Sequence, residues 1–137
     1  MRRIKKMYVL AIIIIALITV AFVVFASDVD NENVRFLAQF GWRIDEECFD
    51  STDIIIPDPF DRVYENYNKI QLQSGFDLRP YKGMKGKRYT YKVLNYPVKV
   101  NEDVYANVIW IDSVPIGGDI CTFSLDGFMH GLKDVLH

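Results

Sequence analysis

Cys121, His130 and the carboxylates of Asp119 and Asp126 fall within one twelve-residue stretch. These are the group types of a thiol nucleophile, its base and an orienting acid, the set an envelope thiol or hydrolytic enzyme would use. Such a set works only if the fold brings the side chains together, and no family-type sequence surrounds the cysteine. A buried or idle thiol on a strand and a histidine on a terminal helix account for the same residues. No catalytic residue is therefore assigned. Cys48 sits among Glu46, Glu47 and Asp50, which disfavour a thiolate. A Cys48–Cys121 bridge would close a long loop and contribute ~4 kcal/mol, but free thiols are the reading preferred here.

Other chemistry is thinly represented. Two scattered Cys and two His, without HxxxH or CxxC spacing, give zinc no ligand set. The acidic run 45–53 lacks the glycine and the regular oxygen spacing of a calcium loop and reads as a solvated loop. Gly117-Gly118-Asp119 has neither the lysine nor the following helix of a phosphate loop, so a bulge in a sheet is expected instead. No metal or cofactor is expected. Arg79, Lys82, Lys85, Lys87, Arg88 and Lys92 interleave with Tyr81, Tyr89 and Tyr91. Arg79, Tyr81, Lys85, Lys87 and Arg88 are candidate contacts to an anionic partner such as a cell-wall polymer. The competing reading is the solvated face of an edge strand.

The elements that would carry these residues follow from periodicity. Asn31 or Asn33 caps a short helix with Val34, Leu37 and Phe40 on one side, stopped by Gly41. Trp42–Glu46 alternates as a short strand, and Asp53–Ile56 makes another before Pro57. A helix follows, with Asp58 as N-cap, Pro59 in the first turn and Gly75 at its end. Residues 76–86 read as a loop. From Arg88 the period becomes two, and the strands from Arg88, over Val104–Ile111 and over Val114–Phe123 form an antiparallel meander turned at Asp112-Ser113. Ser124 caps a last helix ending near Leu136. The class expected is α+β, with helices packed on one face of an antiparallel sheet.

The start of the chain sets its location. Met7–Phe25 contains no charge and follows Arg2, Arg3, Lys5 and Lys6. Nineteen helical residues reach roughly 28 Å, close to the ~30 Å core of a bilayer. The expected organisation is a cytoplasmic basic segment 1–6, a transmembrane signal anchor 7–25, a linker 26–33 and an extracytoplasmic domain 34–137. Cleavage near Ala26, with secretion, is the alternative. Beyond Ala26 lie 12 basic and 18 acidic residues, a net charge of −6. That balance argues against nucleic acid.

Several segments come in an order that resembles a known pattern. They are 36–42 (FLAQFGW), 63–68 (VYENYN), 75–81 (GFDLRPY), 89–91 (YTY), 95–97 (NYP), 117–121 (GGDIC) and 125–131 (LDGFMHG). Together they resemble an uncharacterised domain family of spore-forming Gram-positive bacteria, small extracytoplasmic domains behind one membrane segment. The likeness runs from Val34 to Leu132, with Leu125–Gly131 its most distinctive block. It implies a bacterial surface location and supplies no activity. Glycines at 127 and 131 in one short helix suggest a contact surface, so Asp126, Gly127, Phe128 and His130 join the candidate binding residues. The function expected is a membrane-anchored, non-catalytic interaction module. Its partners would be the bilayer through residues 7–25 and an envelope or membrane protein, the small-molecule ligand remaining unknown.

Overall fold

The computed structural model describes residues 1–133, apart from the side chains of Ala26 and Ser27. The chain divides into two compact units, 1–32 and from Asn33 onward. Helix α1, Arg2–Ala38, begins in the first and ends in the second. In the first unit every side chain of residues 1–25 is exposed, including Phe22 and Phe25. Among the described residues this is one helix long and apolar enough to cross a membrane.

The segment 26–33 is helical rather than a linker, and neither Asn31 nor Asn33 is a cap. No Gly or Pro interrupts 26–38, and extending an existing helix avoids the cost of nucleating a new one. Gly41 stops the run as expected, at φ +87°.

The second unit is built on a five-stranded antiparallel sheet in which chain order is also spatial order. Its strands are β1 Asp50–Ile55, β2 Lys85–Lys92, β3 Tyr105–Ile111, β4 Val114–Cys121 and β5 Met129–Gly131. Helix α2, Arg62–Gln73, and a 3-10 turn, Arg79–Tyr81, lie between β1 and β2. The α+β class and the central meander agree with the sequence reading. Every residue of β3 is buried, as a strand dense in apolar residues on both faces requires, and Asn107 is its one polar side chain. Asp112 and Ser113 turn β3 into β4 with φ of 47° and 63°, the paired positive values of a tight hairpin.

Helical cover is not confined to one face. On one side α2 and the turn after it press Tyr64, Tyr67 and Leu78 onto Ile109, Ile111 and Ile116. The opposite face carries Tyr91 and Trp110, and there the last turns of α1 supply the buried Asn33 and Leu37.

Four further expectations are corrected. The N-cap of α2 is Asp61, whose carboxylate accepts from the Tyr64 N–H at 2.8 Å. Phe60 is drawn out of the helix to pack on the core, with the Lys82 ammonium 4.7 Å over its ring. Trp42–Glu46 keeps its alternation, Trp42 and Ile44 buried and Arg43 exposed, but pairs only through an Ile44–Val93 bridge because β2 ends at Lys92. The acidic run is a loop only to Phe49, since Asp50–Asp53 already pairs with Lys87–Thr90. Finally, 124–131 is no helix. Ser124–Gly127 is a turn closed by the Gly127 N–H on the Ser124 carbonyl, 3.1 Å, and the chain returns along β4 as β5. The expected helix end near Leu136 lies outside the described residues.

Candidate functional site

The residues able to do thiol chemistry are separated by strand parity. Ile120 pairs with His130 and Cys121 with Met129, so Cys121 and His130 point to opposite faces of the sheet. Neither cysteine is in a disulfide; Cys48 is half-buried and Cys121 buried. Burial, reinforced by neighbouring Asp119, pushes the Cys121 thiol up to about 12, so it stays protonated at neutral pH.

Cys121 instead borders a buried polar network. Thr90, Asn107 and Asp119 stand side by side across β2, β3 and β4. Thr90 Oγ1 donates to Asn107 Oδ1 at 2.6 Å, and Asn107 Nδ2 donates to Asp119 Oδ1 at 2.9 Å. Tyr67 of α2 closes the chain, its hydroxyl donating to Asp119 Oδ2 at 2.6 Å. Burial holds the Asp119 carboxyl above its usual range, against the pull of the bonds from Tyr67 and Asn107. Burial, then the Asp119 charge, raises the Tyr67 phenol well above its ordinary value. The signal in the sequence is a polar residue among the apolar ones of β3 and again of β4, Asn107 and Asp119, at positions a meander aligns with Thr90.

The glycine pair is explained by the same packing. Register slips between Ile109 and Trp110, leaving Ile116 as the extra residue of the bulge expected beside Gly117. A Cβ at Gly117 would lie 2.5 Å from Gln71 Oε1, which accepts from the Gly118 N–H at 2.9 Å. Bare backbone there lets α2 sit against β4.

The candidate binding residues fall into two groups at opposite ends of the sheet. Arg79, Tyr81, Lys85, Lys87 and Arg88 surround the start of β2. Two of the four charges there are engaged within the chain: Arg79 with Asp77 at 3.2 Å, and Lys87 with Asp53 at 3.7 Å. Arg88 is half-buried beside Tyr64 and Asp119, while Lys85 is exposed. Asp126, Gly127, Phe128 and His130 lie in the β4–β5 hairpin, at the end where β2 finishes. Gly127 is demanded by the turn itself, since a Cβ would overlap Thr122 Oγ1.

That second end is lined with aromatic rings on both faces. On one, Trp42, Tyr96, Phe128 and His130 stack, with Trp42–Tyr96 centroids 5.8 Å apart and Phe128–His130 rings 6° from parallel. His130 is held at both nitrogens: Nδ1 donates to the Gly131 carbonyl at 2.8 Å, and Nε2 faces the Tyr96 hydroxyl at 2.9 Å. On the other, Tyr105 lies between Phe49 and Phe123, at 4.8 and 4.4 Å. Phe49 falls in the stretch expected as a solvated loop, and Phe123, expected as the end of the strand from Val114, lies beyond it because β4 stops at Cys121.

The structure therefore defines a small α+β domain with its ionisable cluster sealed beneath α2 and an aromatic end open to solvent, behind one long apolar helix. The chain belongs to the family described as Domain of unknown function (DUF4830), whose model matches residues 36–120. The match covers most of the expected likeness but ends before Leu125–Gly131. No curated protein and no solved structure matches the chain.

Proposed function

We propose that this chain is a single-pass membrane protein whose domain binds another envelope or membrane protein outside the cytoplasm, without catalysis. The observation that carries the reading is the exposed apolar surface of residues 7–25 behind four basic residues. Water does not stabilise such a helix, and a bilayer does. The basic flank favours a cytoplasmic N-terminus. A binding role draws support from the distribution of chemistry: the thiol and the carboxylate are buried, and the accessible features are aromatic. The ion pairs around β2 weigh for a protein partner over a wall polymer.

The test is protease shaving of intact protoplasts carrying the chain with a C-terminal tag. Loss of the tag from outside, with an N-terminal fragment left in the membrane fraction, supports the reading. Release of a product starting near Ser27 replaces the anchor with a cleaved signal. A tag protected until lysis reverses the topology and overturns the proposal.

A further inference from the structure

Phe49 and Phe123 are each 60% exposed although their rings pack on the buried Tyr105. Met129, on the same face as Tyr105 by register, is 47% exposed, and Leu125 in the adjoining turn is wholly exposed. At roughly 150–250 Å² per aromatic, the two Phe side chains with Leu125 and Met129 leave roughly 300–600 Å² of apolar surface open. Its surroundings are mainly acidic. Glu46, Glu47 and Asp50 flank Phe49, Asp126 adjoins Leu125, and Ser124 Oγ donates to Glu102 at 2.8 Å, holding it beside Phe123. All five acids are exposed. Lys92, which faces Tyr105 across the strands, is taken up by Asp103 at 3.1 Å.

An apolar centre inside an acidic rim selects by charge complementarity. Anionic lipid and anionic polymer are repelled, while a cation-flanked apolar group loses water at the centre and gains pairs at the edge. We infer that this end of the sheet docks a polypeptide segment carrying one or two large apolar anchors flanked by Lys or Arg. The inference rests on the binding-module reading and names its partner chemistry. The site is Phe49, Tyr105, Phe123, Leu125 and Met129, with Glu46, Glu47, Asp50, Glu102 and Asp126 as its rim.

The experiment uses the full chain in nanodiscs of zwitterionic lipid, with empty nanodiscs as blank. It is passed over immobilised short peptides that present Leu-Trp anchors flanked by Lys, by Glu or by Ser. Retention on the Lys-flanked peptide is expected to exceed the other two and to fall with added salt. Phe123→Ser with Leu125→Ser, both solvent-exposed, is expected to lower it about tenfold or more, as is Glu46→Lys with Glu47→Lys. Tryptophan fluorescence melts confirm that the variants remain folded. Equal retention on Lys- and Glu-flanked peptides, or retention indifferent to both variant pairs, overturns the inference. So does concentration-dependent self-association lost with Phe123→Ser, which would make the occupant a second copy. Protoplast shaving is independent of this assay, so a wrong topology and a wrong partner chemistry give separable failures.

Discussion

Asn33 offers the sharpest test of how the domain is held together. Its side chain is fully buried and joins two strands: Trp110 Nε1 donates to its Oδ1 at 2.7 Å, and its Nδ2 donates to the Tyr91 hydroxyl at 2.8 Å. Asn33→Ala leaves the indole N–H buried without an acceptor, at a cost of about 1–3 kcal/mol. The vacated volume adds about 1 kcal/mol more. A loss of about 2–4 kcal/mol is a large part of the ~5–15 kcal/mol typical of a domain. At about 4–8 °C per kcal/mol for a domain of this size, the melting temperature should drop by roughly 8–32 °C. Trp42 and Trp110 are the two tryptophans of the chain, and both lie in the domain. Fluorescence-monitored urea melts of the full chain in detergent therefore report its unfolding alone. Trp110→Phe should cost less in the Asn33→Ala background than in the parent, with a coupling of about 1 kcal/mol or more. A drop below about 0.5 kcal/mol for Asn33→Ala, or additive double-mutant energies, would falsify the bridge as a stabilising contact.

Two further outcomes follow from the buried groups. In the native chain at neutral pH, thiol alkylation should modify Cys121 only after denaturant is added, because burial holds its thiol near 12. Native labelling of Cys121 in a Cys48→Ser variant, at the rate of an exposed thiol, would contradict this. The raised carboxyl of Asp119 makes the fold favour its protonated form. Below the unfolded-state value of about 3.9 it contributes no penalty, and above it stability declines until pH passes the folded-state value. Asp119→Asn should remove that decline, so parent and variant urea midpoints should diverge, to the parent's disadvantage, as pH rises from about 4. Parallel pH profiles would show that Asp119 carries no such cost.

What was legible in the sequence was whatever depends on local pattern. The density of apolar residues in β3 announced a central strand, and Asp112-Ser113 announced its hairpin. Gly41 and Gly75 marked two helix ends, both at positive φ. The misreadings fell where a tertiary partner decides. Asp61 caps α2 because Phe60 is pulled onto the core, a demand invisible at Asp58. Leu125–Gly131 spaces its apolar residues loosely enough to pass for a helix, yet the free edge of β4 recruits 129–131 as a strand. The aromatic end drew on loops, Phe49 from one and Phe123 from another, so neither stood out. Strand parity alone, had the β4–β5 pairing been foreseen, would have separated Cys121 from His130.

The agreement of chain order with strand order bears on how the domain comes into being. A polypeptide emerging N-terminus first, from a ribosome or a translocon, meets each new strand's neighbour in the strand just delivered. The β3–β4 and β4–β5 closures span little chain and lose little entropy before contacts repay it, whereas β1 and β2 close across the whole of α2. The widest span is left to the end: the Trp42 indole N–H reaches the Leu132 carbonyl at 2.7 Å only when the last described residues have arrived. Assembly is thus a zipper with a latch, and a chain halted before residue 132 would carry its sheet unfastened.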